Sequence, residues 1–153
     1  MKRRMLVSAL AGGAALTACS KSANNTSAGV ASGKTWKWTM VTTWPKDFPG
    51  VGMGANRLAQ RIFEMSGGRL QIKVAAAGEL VPALQVFDAV QTGMAEMGHG
   101  ASYYWKGKLP IAPVFSAIPF GMTAQEINAW LYYGGGLELW RELYARFNLV
   151  PFP

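Results

Sequence analysis

From Trp36 onward the apolar residues of this 153-residue chain keep switching period. Trp36, Trp38 and Met40 alternate with Lys37, Thr39 and Val41, the period of two that a strand imposes. A loop with two prolines, Trp44 to Gly50, follows this strand, Trp36 to Thr43. From Gly52 to Ser66 the period becomes helical, with Ala55, Leu58, Ala59, Ile62 and Phe63 on one face and Arg57, Arg61 and Glu64 on the other. Gly67-Gly68 stops that helix. Arg69 to Val74 alternates again and predicts a second strand. A loop from Ala75 to Val81 carries Gly78-Glu79. Pro82 then suits the first position of a helix, where its missing N–H costs nothing, and the helix is expected to reach about Thr92. Gly93 ends it, and Met94 to Gly98 reads as a short third strand. Gly100 to Lys108 predicts a turn or short helix holding Ser102-Tyr103-Tyr104-Trp105. Prolines 110, 113 and 119 then mark irregular chain.

Beyond the prolines, Thr123-Ala124-Gln125-Glu126 has the form of a capping box, with Met122 and Ile127 placed as a hydrophobic staple. The helix it starts should run to Tyr133 and break at Gly134-Gly135-Gly136. A further helix, Leu137 to Phe147, sets Leu137, Trp140, Tyr144 and Phe147 on one side, with Glu142 and Arg146 at i,i+4. Leu149-Val150-Pro151-Phe152 reads as the start of another strand or a crossover.

Strand–helix–strand–helix–strand implies an α/β fold with a mostly parallel sheet flanked by helices and right-handed crossovers. In such sheets ligands bind beyond the carboxyl ends of the strands. Those ends are Trp44, the Ala77-Gly78-Glu79 turn, and His99 through Trp105. A site built there has aromatic surface, hydroxyls, glycine amides and one acid. Both packing and a ligand wall remain open for Trp44, Tyr103, Tyr104 and Trp105.

Several chemistries lack their parts. A single Cys rules out an internal disulfide or a cysteine zinc cluster, and a single His a multi-histidine metal site. Gly50-Val51-Gly52-Met53-Gly54-Ala55 spells Gly-x-Gly-x-x-Ala, but Trp44 to Pro49 separates it from the strand. Three alanines also stand where a ribose-binding acid belongs, so a glycine-rich helix entry is the better reading. His99 lies three residues from Ser102, yet no Gly-x-Ser-x-Gly elbow exists, and a structural or cleft-lining histidine is favoured. Nothing brings Glu79 and Glu96 face to face as paired carboxylates.

The N-terminus reads as an address. Lys2, Arg3 and Arg4 precede an apolar run from Met5 to Leu16, too short for the about 20 residues that span a bilayer and of the form of a secretory signal. Its end, Leu16-Thr17-Ala18-Cys19, looks like a bacterial lipobox, and the one cysteine of the chain stands there. Arg3-Arg4 also resembles a twin-arginine signal, which leaves the export route open. Residues 20–34 are small and polar, a flexible tether. The organisation expected is therefore a signal peptide over 1–18, a lipidated Cys19 with linker over 19–34, and a globular part over 35–153. The net charge of +7 includes the three N-terminal cations. The other twelve against eight acids leave +4, with no basic stripe that would mark a nucleic-acid partner.

Thr42-Thr43-Trp44-Pro45-Lys46, Ala77-Gly78-Glu79-Leu80-Val81-Pro82 and Met97-Gly98-His99 with Tyr103-Tyr104-Trp105-Lys106-Gly107-Lys108 occur in an order that resembles the DctP-type extracytoplasmic receptors of tripartite ATP-independent periplasmic (TRAP) transporters. Pro119-Phe120-Gly121-Met122 and Ile127-Asn128-Ala129-Trp130 with the three glycines match as well. The subgroup that is similar binds α-keto acids such as pyruvate. The resemblance implies a periplasmic-binding-protein-like lobe, cut before a second lobe, because family members are roughly twice as long. It implies a small organic acid as ligand, the transporter's membrane subunits as partners, and a membrane tether through the lipid. It carries over Trp44 and Tyr104 as aromatic wall positions; His99 and Glu79 join them from their place at strand ends. The family's clamping arginine, and the glutamine, glutamate and tryptophan that hold substrate and a metal cation, fall beyond Pro153, and the Asn-Thr-Gly that follows Pro-Phe-Pro is absent. No cofactor is thus expected within this chain, though a cation is expected to be possible in the full-length receptor. A receptor rather than an enzyme is expected, against an exported hydrolase using His99 and Ser102 or a structural surface lipoprotein. Trp140, Tyr144 and Phe147 are expected to face elements that the chain lacks.

Overall fold

The computed structural model describes residues 33–153. The signal over 1–18, Cys19 and the linker up to residue 32 lie outside the described residues. Three strands, β1 (Trp36–Thr42), β2 (Leu70–Ala75) and β3 (Met97–His99), form one sheet in the order β2-β1-β3. Both pairings are parallel, as the alternation of strands and helices requires. The register sets Val41 against Ala75 and Thr42 against His99, so the carboxyl ends of all three strands meet at one edge.

Helix α1 (Val51–Met65) crosses from β1 to β2. Only its small residues, Gly52, Ala55 and Ala59, are buried. Leu58 and Phe63 of the expected apolar face remain exposed, because the close approach of α1 is made by the alanines and a glycine. A Cβ on Gly52 would stand 3.0 Å from Phe48 Cβ and 3.1 Å from the Pro45 carbonyl oxygen. Helix α2 (Val86–Gln91) connects β2 to β3. Pro82 does not open this helix from its first position. It is the extended residue before a 3₁₀ turn, Ala83–Gln85, that runs into α2.

β3 is shorter than its sequence implies. The N–H groups of Met94 and Ala95 both donate to the Ala89 carbonyl, folding these residues back on the end of α2. Glu96 accepts the Thr39 N–H at 2.7 Å, taking the ladder position that one more residue of β3 would have filled.

Two 3₁₀ turns, Ser102–Trp105 and Ala112–Phe115, lead to α3 (Ala124–Tyr133) and α4 (Gly136–Ala145). The capping box forms as expected. Thr123 Oγ1 accepts the Glu126 N–H, and Glu126 accepts the Thr123 N–H at 2.7 Å. α4 starts one residue early at Gly136, whose Cα lies so near Trp130 that a Cβ would meet the indole at 2.7 Å. Residues 149–153 form no strand.

The face of α4 does not await absent elements. Trp140 and Tyr144 are buried in the core, and Phe147 packs against it. Phe115 stacks on Trp140 at 5.2 Å and 2° and on Trp130 at 5.8 Å and 13°. Phe87 of α2 meets Trp105, Tyr144 and Phe147 at 5.7, 5.7 and 5.2 Å. This aromatic cluster ties α3 and α4 to the sheet and holds the third strand-end loop in place.

Candidate functional site

Parallel register decides which side chains meet. With Thr42 opposite His99, the residues just past β1 and at the end of β3 become neighbours although they are 55 apart in sequence. Trp44 Nε1–H donates to His99 Nδ1 at 2.7 Å. An indole nitrogen can only donate, so His99 Nδ1 carries a lone pair and the imidazole proton resides on Nε2. Half-burial holds the His99 pKa below its ordinary 6.5, by penalising the charged form. Tyr104 completes the corner, its ring 6.0 Å from Trp44 and 4.6 Å from Tyr103.

The backbone around Trp44 is tied on two sides. Its carbonyl accepts the Ala77 N–H at 2.9 Å and Thr42 Oγ1–H at 3.2 Å. The Thr43 N–H donates to the His99 carbonyl at 3.1 Å, extending the ladder past β1. Gly100 makes the corner this tight. A Cβ there would stand 2.7 Å from Thr43 Cγ2 and 2.9 Å from the Trp105 ring. Trp105 itself is buried against Phe87 and belongs to the core, whereas Tyr103 and Tyr104 keep 38% of their surface exposed.

Glu79 lies on the neighbouring turn and is not bonded to the aromatic corner. Its carboxylate accepts the Ala76 N–H at 3.1 Å, while its own N–H donates to the Ala76 carbonyl at 3.0 Å. It lines a recess of about 290 Å³ between the ends of β1 and β2 and the start of α1, together with Thr42, Lys46, Asp47 and Asn56. Trp44, His99 and Tyr104 do not line that recess. The structure therefore gathers three of the four expected residues and sets the fourth beside them.

Two pairings that the sequence disfavours do not form. Ser102 is buried and donates to Ser116 Oγ at 2.8 Å, while His99 Nδ1 is taken by Trp44, so no serine–histidine dyad exists. Glu96 is engaged with Thr39, away from Glu79. Of the nearby cations, Lys46 and Lys106 are exposed, and Lys108 pairs with Asp88 at 2.7 Å. The Trp44–His99 bond and the Lys46–Asp47–Asn56 recess were not legible in the sequence, since both depend on register between distant segments.

The family model for DctP, bacterial extracellular solute-binding protein family 7, matches residues 40–150. A monocarboxylate 2-oxoacid-binding periplasmic protein of Nostoc sp. is 47% identical over all of this chain and 42% of its own length. A TRAP periplasmic solute-binding protein from Pseudoalteromonas atlantica, solved with sodium and pyruvate, is 45% identical with a TM-score of 0.76. It aligns with 78% of this chain and 36% of its own. One from Colwellia psychrerythraea, solved with calcium and pyruvate, is 42% identical at the same TM-score, over 78% and 37%. The chain thus spans well under half the length of these relatives. The family match runs over most of the globular part and the parallel sheet agrees with it: the chain belongs to the DctP family of bacterial extracellular solute-binding proteins.

Proposed function

We propose that this chain supplies one wall of an extracytoplasmic receptor that captures a small 2-oxo monocarboxylate such as pyruvate for the membrane subunits of a TRAP transporter. The observation that carries the reading is the Trp44–His99–Tyr104 corner at the carboxyl ends of a parallel sheet. Trp44 offers a flat apolar wall for a short carbon skeleton. Tyr104 offers a phenolic hydrogen bond to a carboxylate or keto oxygen, and His99 lies behind the indole, bonded to its Nε1–H. Glu79 acts on this site through the shape of its turn.

Sodium or calcium accompanies pyruvate in the two solved relatives. Among the described residues no three His, Cys, Asp or Glu side chains gather, and Glu79 is turned onto Ala76. A cation belongs to the proposal for the receptor as a whole, and no contact above depends on it.

Thermal-shift titration with pyruvate, longer 2-oxo acids and dicarboxylates, on protein produced from its whole reading frame, tests the reading. Stabilisation without turnover is expected. Turnover that disappears in His99→Ala, or no response to any acid, overturns it. Lipidation of Cys19 is proposed with it, since the lipobox is followed by a polar tether; stable anchoring takes more than one acyl chain. Mass spectrometry of the mature protein should find a processed, acylated Cys19, and an unmodified thiol there overturns this part.

A further inference from the structure

We infer that His99 is the positioning residue for Trp44: its Nδ1 holds the indole by the edge, so that the flat face of the ring is what the strand-end corner presents. The inference rests on the receptor reading above for its consequence in binding, but its geometry stands apart from that reading. The Trp44 backbone is already fixed through its carbonyl by Ala77 and Thr42. What remains free is the side-chain torsions, and the 2.7 Å bond to His99 is the one hydrogen bond that sets them. His99 is itself held from both sides. A Cβ on Gly98 would stand 2.9 Å from Val86 and 3.0 Å from Val90, and one on Gly100 would meet Thr43 and Trp105. The two glycines let the chain press into its neighbours on either side of His99, the only side chain of Gly98-His99-Gly100. Register with Thr42 then sets it beside Trp44. Half-burial favours the neutral imidazole, the form with a lone pair to give.

Two conservative variants separate holding the ring from touching the ligand. Asn places its amide oxygen where Nδ1 lies, whereas Gln places its amide near the Nε2 position. In protein labelled with ¹⁵N at the indoles, the Trp44 Nε1–H resonance is assigned by its loss in Trp44→Phe. His99→Asn is expected to keep that resonance in place and the pyruvate Kd within about twofold of wild type. His99→Gln is expected to shift it and to weaken pyruvate at least tenfold. Unchanged resonance and affinity in His99→Gln overturn the inference. So does a His99→Asn that keeps the resonance yet binds as poorly as His99→Gln, which would make the imidazole a ligand contact. If wild type binds no pyruvate, the receptor reading fails, and the resonance shift of His99→Gln alone upholds or overturns the positioning. The wild-type imidazole gives an independent reading: its ¹⁵N shifts must place the proton on Nε2, and a proton on Nδ1 overturns the inference whatever the variants do.

Discussion

Tyr104 and Trp105 are adjacent in sequence and equal in aromatic character, yet they do different things. Trp105 turns inward to Phe87 and is buried. Tyr104 stays partly open beside Trp44. The 3₁₀ turn that carries both points successive side chains about a third of a turn apart, and it is the Trp105 ring that comes up against Gly100, where a Cβ would stand 2.9 Å from it. If Tyr104 gives its hydroxyl to a ligand, Tyr104→Phe should weaken pyruvate by about 0.5–1.5 kcal/mol, the worth of one neutral hydrogen bond. Its melting temperature should stay near wild type, because the ring is unchanged. Calorimetry reads the first and a thermal melt the second; undiminished affinity removes Tyr104 from the site.

β3 has only three residues and survives because its neighbours approach without side chains in the way. Gly100→Ala should therefore destabilise by about 1–3 kcal/mol, as overpacking against Thr43 and Trp105 does. Denaturant titration would show it as a lower midpoint with an unchanged slope, and a wild-type midpoint would mean that the corner can open to admit the methyl. The same element shows where sequence reading stops. The α3 capping box was legible because its partners lie three residues apart, and β2 and α1 because a single period governs each. The start of β3 was not, because Met94 and Ala95 alternate acceptably but give their N–H groups to Ala89. Nor was the fate of Trp140 and Tyr144, whose helical face was plain while its partners, Phe115 and Phe87, lay 25 and 57 residues upstream. Trp44, Tyr104 and His99 could each be placed at a strand end from the order of elements. The bond joining two of them required the register of the folded sheet.

At the scale of the molecule, the described residues bring their own aromatic core, and in the proposed receptor they form one wall of the cleft. The strand-end loops hold no arginine; Lys46 and Lys106 are exposed and Lys108 is committed to Asp88. An exposed lysine pairing with a carboxylate contributes about 0–1 kcal/mol, against the stronger bidentate contact that arginine gives. The 153-residue chain made alone is therefore expected to bind pyruvate no more tightly than about millimolar, roughly −4 kcal/mol. A micromolar constant by calorimetry would show that this wall suffices. The indole of Trp44 adds a limit on what such a wall can select. Its N–H is already consumed by His99, so toward a guest the ring behaves as a hydrocarbon. It has no donor left to reward a hydroxyl, and none to be left stranded when a hydroxyl is missing. A surface of that kind sorts acids by girth and chain length, at about 1–3 kcal/mol for each methylene; telling a keto from a hydroxy acid falls to the polar groups that face it.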